Sequence, residues 1–355
     1  MEKHIISQEN EQGLITDILE KVGLGRSQGQ IVADVLTKAD LRGIGSHGIA
    51  RLSWYVKKIK LGAVNLNPSL ELKRLGPTMA LIDGDNGLGH LAALKATEEA
   101  IALAKEYGLA CVGLRNMNHF GIASYYPMKM ADQGLIGLAI TNTLPLMAPF
   151  GGAERKLGSN PIAVAIPGGK KTDIVIDMST SNVAYGKLEV ALRNGQSIPD
   201  TWAITAEGQR TTDPKEGLAG SLLPLGGPKG YGLALLVDIM AGLLTGASYL
   251  DRMPGLGQDE KGQELGSLYL ALDPSRFMAR EDFNRLIEDY IADIKASKKA
   301  QGVDQIFLPG ERSSAKEEKS KKEGIVISPG LYKEVKELAD QVGLDLEKYF
   351  STNFK

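Results

Sequence analysis

MALIDGDNGLGHLAALKA, residues 79–96, sets a short apolar run, a glycine-rich turn and a helical pattern in immediate succession, and its reading decides the fold. Gly87, Gly89 and Ala92 spell GxGxxA behind a strand candidate. In that context free N–H groups and a helix dipole can cradle a pyrophosphate. The next strand candidate, ACVGLR (110–115), runs into Arg115 and Asn116 where an acid that grips the ribose of NAD is expected. Arg115 would suit a 2′-phosphate, yet one fingerprint alone is weak. The preferred reading is a tight turn followed by a helix packed closely through Ala92, Ala93 and Ala96. A second pattern, Gly23, Gly25 and Gly29, follows the helically spaced LITDILEKV and reads as a turn between two helices.

Outward from this stretch, short apolar runs alternate with helical spacing. MALIDG, ACVGLR, IGLAITN, PIAVAIP, DIVIDMS and residues 266–272 read as strands. Helical patterns cover 11–22, 28–42, 49–61, 90–107, 123–133, 183–193, 230–245 and 281–299, and Ser328–Pro329 opens a last helix over 331–342. The charged run AKEEKSKKEG (315–324) reads as a solvated linker. Together these patterns predict an α/β chain with a helical opening and a helical end.

The 355 residues are 43% hydrophobic and 24% charged, an ordinary globular mixture. Forty-one basic and 43 acidic residues leave a formal charge of -2 with no dominant block of either sign. Such a surface has no field suited to nucleic acid or an anionic membrane, so small-molecule partners are expected. A single cysteine, Cys111, forms no intramolecular disulfide, and MEKHIISQENEQ lacks the apolar core of a signal peptide, which points to the cytoplasm. The longest apolar run, Leu233 to Leu244, is interrupted by Asp238 and Gly242; it falls short of the ~18 residues of a membrane span and reads as a buried helix.

Four histidines carry the chemical signal. His4 sits near the terminus. His90 begins a helix and reads as a neutral imidazole or a surface residue. His47 lies in Ser46-His47-Gly48, with Arg51 and Tyr55 each four residues further on, a spacing that on a helix puts the three side chains on one face. Arginine offers a fork to a carboxylate, and histidine exchanges protons near neutral pH. The alternative is a helix capped by Ser46 with His47 and Arg51 facing solvent, and spacing does not separate the two. His119, in NMNHFG after ACVGLR, stands where open α/β sheets place their chemistry, at the carboxyl end of a strand. The alternative there is an asparagine-rich turn. No HxxxH, HExxH or CxxC pattern suggests a metal, and the one GxSxG match, around Ser27, lies between helices rather than on a strand-to-helix elbow.

Six separated motifs then carry a resemblance: ADLRGIGSHGIARL (39–52), RNMNHFG (115–121), TNTLPLMAPFGG (141–152), GSNPIAVAIP (158–167), DMSTS (177–181) and LPLGGPKGYGLAL (223–235). Across nearly its whole length the chain resembles the type 2 malate and L-lactate dehydrogenases, whose relatives include ureidoglycolate, L-sulfolactate and 2,3-diketogulonate enzymes. The resemblance implies a non-Rossmann mixed sheet that binds NAD or NADP (76–275, with a helix-rich insertion near 182–250), a helical domain from 1–75 plus 276–355, and a homodimer. It implies His119 and His47 as the catalytic pair, with Ser46, Arg51 and Tyr55 as substrate contacts. The cofactor positions it implies are Thr143, Asp177, Met178, Ser179, Lys229, Gly230, Pro309, Gly310 and Glu311.

The residues accord with this. Lys229 in a glycine-rich loop at a helix start suits a phosphate, the alternative being an ordinary surface turn. Asp177, at the end of DIVID, suits an imidazole or a hydroxyl, the alternative being a strand-end cap. Thr205 departs from the aspartate found in many relatives, which bears on details of that loop alone. The expected reaction is hydride transfer between a nicotinamide and a small 2-oxo or 2-hydroxy acid. Two rivals stand beside it: reduction of a cyclic 2-imino carboxylate, and a non-catalytic dinucleotide-binding protein.

Overall fold

The computed structural model describes residues 4–254 and 257–350; residues 1–3, 255–256 and 351–355 of the domain ranges above lie outside it. The chain opens with β1 (His4–Ile6), α1 (Gln8–Lys21) and α2 (Arg26–Leu41), then passes through two 3-10 turns, Gly45–His47 and Ile49–Arg51, into α3 (Leu52–Lys60). Next come β2 (Glu71–Arg74), β3 (Met79–Asp83), α4 (Gly89–Tyr107), β4 (Leu109–Met117), α5 (Tyr125–Ala131), β5 (Ile136–Thr141), β6 (Ile162–Ile166) and β7 (Ile174–Met178). An excursion follows with α6 (Tyr185–Arg193), β8 (Ala203–Ile204), β9 (Arg210–Thr211), α7 (Pro214–Ala219), β10 (Ser221–Leu222) and α8 (Pro228–Val237), the last continued by a π-helical stretch, Asp238–Leu243. Then β11 (Leu265–Leu272), α9 (Arg280–Ala296), α10 (Glu311–Glu323), β12 (Ile325–Ile327) and α11 (Pro329–Gln341) complete the chain.

Seven strands form one mixed sheet in the order β2-β3-β4-β11-β5-β6-β7. Only β3 and β4 run parallel; the other neighbours are antiparallel. All six sequence-predicted strands lie in it. The GxGxxA turn does sit in the single β3-α4-β4 crossover, but its space is already filled. A Cβ at Gly89 would lie 1.9 Å from the Asn118 carbonyl oxygen. The glycine thus lets the start of α4 press onto the loop after β4, and Ala92, Ala93 and Ala96 bury that helix in the sheet's core. Arg115, the candidate for a 2′-phosphate, is paired with Asp83 at 3.0 Å.

A second core joins the two ends of the chain: Leu14, Ile18, Val32, Leu36 and Leu52 pack with Ile325, Val335 and Leu338. β1 pairs with β12, closing it. A third core, with Met147, Leu188, Ala203 and Leu222, lies in and around the excursion, where Thr205 caps the β8–β9 turn by accepting the Glu207 and Gln209 N–H groups.

Two expectations are corrected. The charged run 315–324 is mostly helix, not linker. Its buried face is ionic instead of apolar, so apolar periodicity could not find it: Glu317 is 6% exposed and meets Lys38 at 2.6 Å, Arg42 at 3.0 Å and Lys321 at 2.7 Å. The run Leu233–Leu244 is only half buried. Val237 and Ala241 pack on Ile140 and Leu268, whereas Leu236, Ile239, Leu243 and Leu244 face outward. Among the described residues no helix is long and apolar enough to cross a membrane.

Candidate active site

His47 and Arg51 do not ride on one helix with Tyr55, as the spacing suggested. The helix is interrupted because Asp40, at the end of α2, pushes its carboxylate into the turn: Oδ2 accepts the Ile49 N–H at 2.6 Å, and a Cβ at Gly48 would lie 1.9 Å from that oxygen. Gly48 therefore separates two 3-10 turns, and α3 begins at Leu52. Ser46 is not a helix cap. Its Oγ lies 2.9 Å from Nδ1 of the adjacent His47, and its carbonyl accepts from Arg51 Nε at 2.7 Å. Arg51 has no acidic partner among the described residues, and its remaining guanidinium N–H groups are left for a ligand.

The carboxyl end of β4 carries His119 to the same place. Its ring stacks on that of His47 with centroids 5.6 Å apart, and Trp54 stands edge-on at 6.0 Å. The buried Tyr55 places its Oη 2.5 Å from His119 Nδ1, with the Gly121 N–H 3.3 Å from the same nitrogen. A tyrosine hydroxyl both donates and accepts, so this contact holds the imidazole whichever way the proton lies. The backbone is held as well. The His119 N–H donates to Gln263 Oε1 at 2.8 Å, the Gln263 N–H donates to Asn118 Oδ1 at 3.0 Å, and Asn118 Nδ2 donates to the Asn86 and Gly87 carbonyls. His90 is wholly buried beneath Tyr55, ring centroids 5.0 Å apart, and is no surface residue.

Burial and the fixed positive charge of Arg51 shape the electrostatics. Burial first, and Arg51 second, hold the His47 imidazole down at about 4. Burial, then His47, Arg51 and His90, keep His119 well below its ordinary value, and burial alone takes His90 to about 3. Burial pushes the Tyr55 hydroxyl upward. At neutral pH the site thus presents neutral imidazoles beside one cation, ready to receive an anion.

The cofactor candidates gather around the end of β7. Ser124, on the loop after His119, donates its N–H to Asp177 Oδ2 at 3.1 Å, tying the histidine loop to Asp177, Met178 and Ser179. Burial pushes the Asp177 carboxyl upward although the residue keeps solvent contact. Thr143 donates its N–H to Asn160 Oδ1 at 3.0 Å, and its hydroxyl is 3.4 Å from Ser159. Thr180 bridges Ser159 and Leu225, which brings the loop of Lys229 and Gly230 alongside. Lys229 is exposed at the start of α8 with no acidic partner among the described residues, so its ammonium fits a phosphate. Pro309 accepts the Val175 N–H at 3.0 Å, which docks Pro309, Gly310 and Glu311 on the first half of β7; Glu311 is itself held by Lys295 and the Leu308 N–H.

Asn118 was legible as an amide beside His119, whereas Ser124, Asn160 and Gln263 were not singled out by sequence, and neither were Glu11 and Asp40. Each supports the site through the fold, and of those missed only the last two carried a signal, as acids within apolar-spaced helices.

A free arginine beside two neutral imidazoles, with the exposed Lys229 at a helix start, is the set expected of a dinucleotide-dependent oxidoreductase of small carboxylic acids. The comparisons agree. The family model for malate/L-lactate dehydrogenase matches residues 6–336. The L-sulfolactate dehydrogenase of Methanocaldococcus jannaschii is 42% identical over 97% of this chain and 99% of its own, and its solved structure superposes with a TM-score of 0.91 over 98% and 100% of the two chains. The malate dehydrogenase of Pyrococcus horikoshii is 42% identical over 93% of each chain, with a TM-score of 0.89 for its structure. The ureidoglycolate dehydrogenase (NAD(+)) of Escherichia coli strain K12 is 37% identical over 92% and 93%. The chain belongs to the malate/L-lactate dehydrogenase family, and it is an NAD(P)-dependent oxidoreductase of a small hydroxy acid.

Proposed function

We propose that Arg51 grips the carboxylate of a small 2-oxo or 2-hydroxy acid while His119 exchanges the proton on the reacting oxygen. The unpaired Arg51 guanidinium beside the stacked His47–His119 pair is the observation that carries this reading. Bound NAD or NADP supplies or accepts the hydride at the substrate's C2. In oxidation, neutral His119 takes the hydroxyl proton of the substrate, and Tyr55 Oη, able to donate to or accept from Nδ1, keeps the ring in place. In reduction, the substrate carboxylate offsets the charge of Arg51, one of the causes that depress His119, so the ring gains the proton it then donates. His47, steadied by Ser46, orients the substrate across from His119. Lys229, at the start of α8 with Gly230 beside it, holds a cofactor phosphate, with Thr143, Asp177, Met178 and Ser179 along the bound dinucleotide and Pro309, Gly310 and Glu311 closing over it.

The same proposal takes 1–75 with 276–355 as the helical domain and 76–275 as the cofactor domain, and it makes the protein a homodimer in the cytoplasm. The apolar face of Leu236, Ile239, Leu243 and Leu244, half to two-thirds exposed on the helix that carries Lys229, supports a paired surface. Light scattering should give twice the 38.0 kDa of one chain. An absorbance panel crossing NAD and NADP with malate, L-lactate, sulfolactate, ureidoglycolate and a cyclic 2-imino carboxylate tests the reaction. Turnover of a hydroxy acid is expected. Cofactor binding with no turnover across the panel would refute it.

A further inference from the structure

The turn that carries His47 and Arg51 rests on two buried acids. Asp40 reaches beneath the turn to the Ile49 N–H. Glu11, on α1, faces it, fully buried, with the Thr37 hydroxyl beside it and no N–H donor among the described residues on either Glu11 oxygen. The polar side chains acting on Glu11 are Asp40 and Thr37, and the side chain acting on Asp40 is Glu11. The charges on neighbouring elements are turned elsewhere: Lys38 and Arg42 of α2 grip Glu317 of α10, and Arg51 turns to the Ser46 carbonyl. Among the described residues, therefore, no cation offsets the pair.

Two carboxylates without a cation cannot both stay ionised in such surroundings, because the second charge would be buried unpaired. A proton on Glu11 resolves this, since its O–H can donate to Asp40 while Asp40 keeps the Ile49 N–H. We propose that Glu11 and Asp40 share one proton, and that this proton locks the Ser46–Arg51 turn in the geometry that presents Arg51 and His47 to the substrate. The inference rests on the assignment of that turn to substrate binding. Glu11 touches no substrate and acts as a positioning residue through Asp40. Burial pushes both acids up, Glu11 well above its ordinary value and Asp40 to about 7.

The sign of the pH effect follows. The folded chain keeps protons that the unfolded chain has lost above about pH 4.3, so stability falls as pH rises from there toward the raised folded values. Once the shared proton leaves, the two carboxylates repel and Asp40 withdraws from Ile49.

Glu11→Gln replaces the shared proton with a permanent N–H donor. Its melting temperature, compared with the wild type from pH 5 to pH 9, should gain steadily on the wild type as pH rises. Oxalate is the carboxylate probe, its Kd measured by calorimetry on the NADH-saturated protein. In the wild type that Kd should rise at least tenfold between pH 7 and pH 10; in Glu11→Gln it should start within about threefold of the wild type and stay nearly flat. Should the variant fail to fold, the infrared spectrum of the wild type at pH 7 still decides: it should contain a protonated-carboxyl band that Asp40→Asn shifts. A missing band, or a melting difference that ignores pH, overturns the shared proton. A shared proton with the same alkaline limb in both proteins overturns its positioning role. Failure of oxalate to bind the wild type overturns the substrate assignment and that role with it, while the melting and infrared results stand on their own.

Discussion

Tyr55 Oη lies 2.5 Å from Nδ1 of His119, and the tyrosine is wholly buried. Its hydroxyl is engaged by the histidine, so its part in the reaction is to hold a ring that must change protonation state. Tyr55→Phe keeps the packing and removes that hold. Losing one hydrogen bond of about 1–1.5 kcal/mol should lower kcat roughly tenfold with little change in KM. Steady-state kinetics check this, and an unchanged kcat would show that the ring needs no such partner.

The depressed His119 governs the acid side of the pH profile. Oxidation needs the neutral ring, and a value held well below 6.5 keeps it neutral there. The kcat/KM for hydroxy acid oxidation should stay level from pH 8 down through 6.5 and fall only at lower pH. A midpoint at an ordinary histidine value would contradict the burial argument.

Arg51→Ala should raise KM for the acid by ten- to a hundredfold, since a charge-assisted contact worth about 1.5–3 kcal/mol is lost. NADH affinity, measured by fluorescence, should hold. Arg51→Lys should recover part of the loss, because the charge stays but the fork does not. Equal KM in all three proteins would remove Arg51 from the site.

Gly48→Ala forces a Cβ to within 1.9 Å of the Asp40 carboxylate. Overpacking of this kind costs about 1–3 kcal/mol. Denaturant melts should record that loss, and KM should rise because the turn that carries His47 and Arg51 must shift. A neutral substitution would mean that Asp40 moves freely.

Glu317 binds Lys38, Arg42 and Lys321, and their charges draw its carboxyl down to about 2 despite burial. Its stabilising effect is complete above the unfolded value near 4.3 and is lost as pH falls through about 2. Glu317→Gln should therefore destabilise the fold at pH 7 by on the order of 3 kcal/mol. The gap from the wild type, followed by chemical denaturation, should narrow between pH 4.5 and pH 2; a constant gap would place the cost elsewhere.

Six of the seven strands of the main sheet were legible because each is a short apolar run, the mark that burial in a sheet leaves on the sequence; β2 at the edge, mostly exposed and charged, carries no such run and was not found. α10 was not legible. Its partner is the pair Lys38 and Arg42 of α2, nearly three hundred residues away in the chain, and a helix docked through charge has no apolar stripe to count. Ser46 was likewise read as a possible helix cap, yet Asp40 bends the backbone at Gly48 and the Ser46 side chain meets that of His47.

By itself, the sequence determined the α/β class and, through its six motifs, the family, and it put His47, His119 and Arg51 forward as site candidates, because apolar runs and contiguous motifs are local properties of the chain. Only the tertiary structure decided that the space at the glycine turn 87–89 is taken by the Asn118 carbonyl, that Tyr55 faces His119, and that Glu11 meets Asp40 beneath the turn of His47 and Arg51. Those relations depend on the distance between atoms from separate segments, which no spacing along the chain encodes.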